Sequence, residues 1–353
     1  MLTPAIVAVL ARIGLIAAAC WAGKISVGQL ALLHDGWEYL RLARAFAHGS
    51  VAALDPATLR LFPGYPLLIA ALGLGREFVY PAFWASIGCA GLCVMLVDRL
   101  GRDRRLGWYM ALMTPSWLMF TSTAMSDSLA LVLAMGALLA IERRRWAWAG
   151  LAAGMSFVVR PVGALLIVPI AIEALACGPR VLVRALIAAA WVPLVYLVAS
   201  RVMLGDAMRA ARQYTAQDFA WPLWAILHPA QNRNMGAFWI VYQYGVIAAS
   251  WAGAFGLWRR MRSGEDYIRP MLAWHVAAGL FYLLLPSSWA FQAMDRFYIA
   301  IWPTALIGIA PWLPRRKAWN IALVVVFGAA SFGIALRWLA HLAAVFPFAA
   351  RGF

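Results

Sequence analysis

Apolar runs, most of them about 14 to 23 residues long, recur from one end of this chain to the other with only short polar interruptions, and no other feature constrains the fold as much. A helix needs about 20 apolar residues to cross a bilayer, and fewer where it is broken or half-buried in protein. Spans are expected at roughly 3 to 23, 78 to 97, 106 to 122, 127 to 142, 146 to 159, 162 to 176, 181 to 200, 236 to 258, 268 to 286, 297 to 313 and 319 to 340. Those near 146 and 162 fall short of a full span, so the expectation is about 9 to 11 transmembrane helices. With 65% hydrophobic and 12% charged residues, the solvent this chain implies is lipid. The expected fold class is all-α: a polytopic integral membrane protein, with residues 1–353 forming a single membrane domain. The opening MLTPAIVAVLARIGLIAAAC has no convincing A-x-A site and reads as an uncleaved first helix.

The arginines give a topology. Short cytoplasmic turns collect Arg and Lys. Placing the N-terminus inside puts DRLGRDRRLG (98 to 107), ERRRW (142 to 146), Arg180 with Arg184, RRMR (259 to 262) and RRK (315 to 317) on that side, together 15 of the 30 basic residues. The net charge of +16 is thereby largely explained by topology, and nucleic acid is not an expected partner. Cys20, Cys89, Cys93 and Cys177 all fall in apolar runs and read as packing residues.

The opposite, extracytoplasmic side carries longer connections at about 24 to 77 and 201 to 235, with small turns near 123 to 127, 160 and 287 to 296. Asp35, Glu38, Ser126, Asp127, Arg160, Asp295 and Arg296 all fall there. Ionisable groups at membrane depth are costly unless paired or wet, so their convergence on one face points to a polar site, against the plainer reading of ordinary interfacial charges. Within the first connection, 36 to 48 reads as an amphipathic helix on the membrane surface, with Trp37, Leu40, Ala43 and Ala47 on one side and Glu38, Arg41 and Arg44 on another. The stretch RLFPGYPLLIAALGLG, broken by Pro63, Gly64 and Pro66, is too short to span and reads as a second interfacial or re-entrant helix. Arg12 and Lys24, in or beside the first span, are left to snorkel or to face other helices.

The order of HDGWEYLRLARAFAHG, FPGYPLL, TPSWLMFTSTAMSDSLALVLAMGALLAIERRRWAWAGLAAGMSFVVRPVG and DRFYIAIWP resembles PIG-V-type mannosyltransferases, members of the GT-C superfamily. The likeness runs over residues 30 to 175 and returns near 295, and its most telling stretch is 114 to 163. No single motif carries it. The resemblance implies GT-C-like architecture and transfer of a sugar from a polyprenyl-phosphate carrier to an acceptor hydroxyl, with inversion, at the extracytoplasmic face.

Such chemistry needs a base for the acceptor hydroxyl, and Asp35 matches the position of the family's catalytic Asp. The alternative is that Asp35 caps the helix beginning at Gly36. Departure of a lipid phosphate builds negative charge that a guanidinium fork can receive. Arg160, in the turn VVRPVG, and Arg296 are the candidates, against intramembrane ion pairs such as Arg160 with Asp127 or Arg296 with Asp295. His34, Glu38, Tyr65, Ser126, Asp127, Asp295 and Tyr298 are candidates for binding or orienting substrate. HDGWEYL lacks the W-D pair typical of the family, and Gly64 stands where a bulkier residue is common, which puts sugar or acceptor choice in question.

There is no HExxH, no DxD suited to a nucleotide-sugar metal and no Gly-rich phosphate loop, so neither a nucleotide-sugar donor nor a P-loop ATPase is expected; no metal-ligating residue and no cofactor is named, and metal dependence stays open. The expected partners are membrane lipid, the polyprenyl-phosphate-linked sugar and a glycan, lipid or protein acceptor. High Ala, Arg and Trp with little Lys suits a GC-rich bacterial genome and hence an inner membrane. The rival function is a secondary transporter or lipid flippase, for which two similar halves with midplane ionisable residues are expected and no internal repeat is seen. A non-catalytic membrane scaffold is a third reading.

Overall fold

The computed structural model describes residues 3–55, 58–209, 223–228, 237–285 and 293–346, and among them the regular elements are helices, with no strand. In chain order the first eleven are α1 (Pro4–Gly23), α2 (Val27–Ala31), α3 (Gly36–His48), α4 (Gly64–Leu72), α5 (Val79–Gly101), α6 (Arg105–Leu112), α7 (Pro115–Thr121), α8 (Asp127–Glu142), α9 (Trp146–Val159), α10 (Ile167–Cys177) and α11 (Pro179–Leu204). There follow α12 (Trp224–Leu227), α13 (Ala237–Arg262), α14 (Arg269–Leu283), α15 (Met294–Phe297), α16 (Trp302–Ile309) and α17 (Lys317–Val345). Five of these, α1, α5, α11, α13 and α17, are long and apolar enough to cross a membrane, with mean hydropathy between 1.2 and 2.2. The protein is all-α and has the helices of a membrane-embedded chain.

The other expected spans are met by shorter pieces, and proline sits at each break. The run 106 to 122 is two helices, α6 and α7, because Pro115 has no N–H to continue the first. The run 162 to 176 opens as a 3₁₀ turn, Pro161–Leu166, before α10. The run 297 to 313 divides into Tyr298–Ala300, α16 with Pro303 in its first turn, and Ala310–Trp312. The basic stretches named from the sequence fall at or beside helix ends: 98 to 107 and 142 to 146 across the junctions of α5 with α6 and of α8 with α9, Arg180 and Arg184 in the first two turns of α11, RRMR in the last turn of α13, and RRK at the start of α17. Most of the expected connection at 201 to 235, and most of the turn at 287 to 296, lie outside the described residues.

The chain divides into two compact units, Met1–Val132 with Pro314–Phe353, and Leu133–Leu313. In the first, α1 packs on α5, α6 and α17, while α17 also covers α7. Arg12 lies in the middle of α1 and is fully buried. Pro115 leaves the carbonyl of Ala111, four residues earlier, without its usual helical donor. Arg12 supplies one: Nη1 donates to Ala111 O at 3.2 Å and to Ala8 O at 2.8 Å, and Nε donates to Thr121 Oγ1 at 2.6 Å. Its guanidinium also lies 5.2 Å from the centre of the Trp117 ring. The arginine that the sequence left unexplained therefore clamps a proline break.

In the second unit, α9 and α11 meet along Gly150 and Gly154, spaced as small-xxx-small. A Cβ at Gly150 would stand 2.1 Å from Ala185 O, and one at Gly154 would stand 2.4 Å from Ala189 O, so only glycine permits this approach. Arg269 grips Glu173 with two parallel bonds of 2.5 and 2.7 Å, tying α14 to α10.

Candidate active site

The turn between α2 and α3 fixes the principal candidate. His34 takes a left-handed φ of 55°, uncommon for a residue with a Cβ, and Asp35 follows in the N-cap position of α3. Gly36 then passes so close to the preceding helix that a Cβ there would stand 2.0 Å from Ala31 O. The sequence H-D-G is thus read by the backbone: a tight turn, a cap position and a residue that must be bare. Yet the Asp35 side chain makes no capping hydrogen bond. It is 27% exposed, and Arg60 Nη2 stands 3.9 Å from its Oδ1.

Arg60 faces a second carboxylate as well. Its Nη2 donates to Glu38 Oε2 at 3.1 Å, and the Glu38 side chain is only 6% exposed. This corrects the expected pattern of α3: Leu40 and Ala43 are buried as anticipated, but Glu38 is buried with them and Ala47 is exposed. Burial of Glu38 is tolerable because a guanidinium meets it. One turn of helix thereby presents Asp35 and Glu38 to the same cation, with Asp35 the more open to solvent.

Behind them lies a hydrogen-bonded core. The Tyr39 and Ser126 hydroxyls are 2.7 Å apart. The Tyr39 ring meets Tyr65 edge-on at 5.2 Å. Tyr65 is fully buried, donates to Ala82 O at 2.8 Å and lies 2.8 Å from Ser86 Oγ, which donates to Met125 O at 2.9 Å. His34 packs on Phe120 with ring centres 5.0 Å apart, and Asp127, 3% exposed, opens α8. The first unit therefore gathers His34, Asp35, Glu38, Tyr65, Ser126 and Asp127, which the sequence scatters over more than ninety positions.

Arg160, Asp295, Arg296 and Tyr298 belong to the second unit. Asp295 is paired with the Gln243 amide: Oδ1 accepts from Gln243 Nε2 at 2.9 Å, and the Asp295 backbone N–H donates to Gln243 Oε1 at 2.7 Å. The Tyr298 hydroxyl accepts from Trp251 Nε1 at 3.3 Å. Arg160 is half-buried at the end of α9. Phe157 and Gly163, three residues to either side of it, both line an apolar groove of about 430 Å³ completed by Ile167, Leu186, Ala189 and Pro193.

Three participants were not singled out from sequence. Arg60 opens the same stretch that holds Tyr65, and its signal was there, a lone cation before F-P-G-Y-P within the first connection. Tyr39 and Ser86 sit in helices with nothing around them to mark them. A further clasp holds the connection itself: Arg41 Nη1 lies 2.9 Å from Asp55 Oδ2, and Asp55 accepts from the Thr58 backbone N–H at 2.9 Å and hydroxyl at 3.1 Å. Burial alone would raise the Asp55 pKa, but the Thr58 bonds and the Arg41 charge outweigh it and hold the carboxyl below its ordinary value. A depressed carboxyl contributes stability above its unfolded pKa and loses it as pH falls through the lowered folded value. Protection of the Thr58 amide from hydrogen exchange, taken relative to its intrinsic rate at each pH, should fall on acidification below the ordinary aspartate range. In Asp55→Ala that protection should be low already at neutral pH and should not fall further with acid.

No family model matches this chain. None of the curated proteins matches it either. Among the described residues, no three His, Cys, Asp or Glu side chains come together as a metal would require, and Cys20, Cys89, Cys93 and Cys177 are free thiols.

Proposed function

We propose that this protein is a glycosyltransferase that moves a sugar, mannose or one like it, from a polyprenyl-phosphate carrier to an acceptor hydroxyl. The reaction would take place at the extracytoplasmic face of a bacterial inner membrane, with inversion. The observation that carries the proposal is the Asp35 carboxylate, held by a constrained turn at the head of α3 and not used to cap it. A strained, over-determined turn that presents an accessible carboxylate is what a general base needs and what a mere cap does not.

In this reading Asp35 takes the proton of the acceptor hydroxyl as its oxygen attacks the anomeric carbon from the side opposite the phosphate. The bond from that carbon to the phosphate oxygen breaks, and the lipid phosphate leaves with the electron pair. Arg160 and Arg296 are the proposed cations for that phosphate. The apolar groove lined by Phe157 and Gly163 suits a prenyl chain, and Arg160 lies between those two residues in sequence. Glu38 and Arg60 steady the acceptor side of α3, while Tyr65 and Ser126 keep α3 in register with the helices behind it.

The test is transfer itself. Purified protein is given polyprenyl-phosphate-mannose carrying a radiolabelled sugar, together with membrane-extracted glycolipid acceptors. Label moving into an acceptor in proportion to protein is the expected result. Absence of transfer across several carriers, sugars and acceptors, with labelled lipid instead crossing the bilayer of reconstituted vesicles, would replace the transferase by a transporter or flippase.

A further inference from the structure

A second cavity lies in the first unit, apart from the Asp35 carboxylate and lined by neither Asp35, Glu38 nor Arg60. It has a volume of about 490 Å³, with Gln29 and Leu32 on one wall, Leu40, Arg41 and Arg44 of α3 on another, and Arg76, Glu77, Phe78 and Val79 on a third. Three guanidinium side chains and one carboxylate therefore share its lining. The carboxylate is already committed: Glu77 Oε1 accepts from the Val79 N–H at 2.8 Å and Oε2 from the Tyr80 N–H at 3.0 Å, capping α5. Arg41 is likewise committed to Asp55.

Arg44 and Arg76 are different. Both are exposed, and neither forms a hydrogen bond or ion pair among the described residues. Arg44 lies over the Phe78 ring at 5.9 Å, which orients its fork without neutralising it. Two arginines that form no ion pair among the described residues, beside the apolar walls of Leu32, Leu40, Phe78 and Val79, form a mixed surface. Its polar part matches the oxygens of a phosphate group and its apolar part matches the start of an acyl chain. α4, next to this cavity in the chain, exposes Leu67 and Leu72, and Leu74 in the following turn is 85% exposed, as befits a surface that meets lipid.

We infer that the cavity between α3 and the head of α5 binds the phosphate group of an anionic membrane lipid through Arg44 and Arg76. This assigns the site to an annular or structural lipid and does not depend on the transferase reading, since no sugar transfer is needed to detect it.

The experiment uses the full chain in a neutral detergent, with lipid binding followed by native mass spectrometry and by the shift in melting temperature. Dioleoyl phosphatidylglycerol is added in parallel with dioleoyl phosphatidylcholine and with inorganic phosphate. Wild type is expected to retain phosphatidylglycerol and melt higher with it, with weak response to phosphatidylcholine. Arg44→Gln/Arg76→Gln should lose about tenfold or more in apparent affinity, since two charge-assisted contacts are removed. Both side chains are exposed, so the variant should remain monodisperse, and its melting temperature without lipid checks that. Asp35→Asn should bind phosphatidylglycerol as wild type does, separating this site from the transferase proposal. Equal retention of phosphatidylglycerol by wild type and the double variant would overturn the inference. So would an equal effect of inorganic phosphate at matched concentration, which would reassign the cavity to a free anion.

Discussion

Asp35→Asn is expected to fold and melt like wild type yet transfer sugar between about 10² and 10⁴ times more slowly, the usual share of a positioned general base. The two halves of that expectation come from one observation. A capping aspartate loses about 1 kcal/mol on replacement, because its oxygen serves the orphan N–H groups of the first helical turn. Asp35 occupies the cap position without making that bond, so its carboxylate adds little to the helix. Asparagine keeps the shape and removes the basicity. The ion pair with Arg60 at 3.9 Å is partly exposed and adds little to the balance, since such pairs contribute at most about 1 kcal/mol. Circular dichroism and melting in detergent measure the first half, and single-turnover transfer of labelled sugar measures the second. A folded Asp35→Asn protein that transfers at the wild-type rate would remove this carboxylate from the mechanism. A variant that melts far lower would mean that the residue is structural after all.

Glu38→Gln should behave differently, because Glu38 is buried and accepts from Arg60 at 3.1 Å, whereas Asp35 is partly exposed and stands 3.9 Å from the same guanidinium. Losing one member of a buried pair leaves the other uncompensated, so its effect should appear first in stability and only through that in transfer.

What was legible in the sequence follows from what periodicity and charge can carry. Long apolar runs ending in arginines announced α5, α11, α13 and α17 and the turns between helices, because lipid and the positive-inside bias act on composition alone. The broken helices were less legible: hydropathy averages across Pro115 and Pro303, whereas the backbone must stop there. The sequence led to the expectation of one face for Asp35, Glu38, Ser126, Asp127, Arg160, Asp295 and Arg296, of which the first four fall in one compact unit and the last three in the other, and Arg60 was not singled out, since an arginine in a connection looks the same whether it meets solvent or a buried carboxylate. Arg12 was the opposite case. Its presence in a span was conspicuous, but its purpose depended on a carbonyl a hundred residues away that a proline had left unserved.

Gly36→Ala is the substitution expected to damage the fold most for the fewest atoms. The added methyl would stand 2.0 Å from Ala31 O, a backbone atom fixed by α2, so no side chain can swing away to admit it. The capping box between Ser26 and Gln29 holds α2 at its other end, which denies it an easy retreat. Either α3 shifts, pulling Tyr39 from Ser126 and Glu38 from Arg60, or the left-handed turn at His34 opens. A cost on the order of 3 to 5 kcal/mol is expected from such a clash with main chain. Gly14→Ala is the matched control: it lies within α1 with nothing inside 4 Å of the new methyl, and should be neutral or slightly stabilising. Melting of the two variants beside wild type makes the comparison. Any Gly36→Ala protein that does fold should also transfer poorly, because the shifted turn carries Asp35 with it. Equal melting of Gly36→Ala and Gly14→Ala would show that the turn tolerates a side chain, and the constraint that holds Asp35 in place would then have to lie elsewhere.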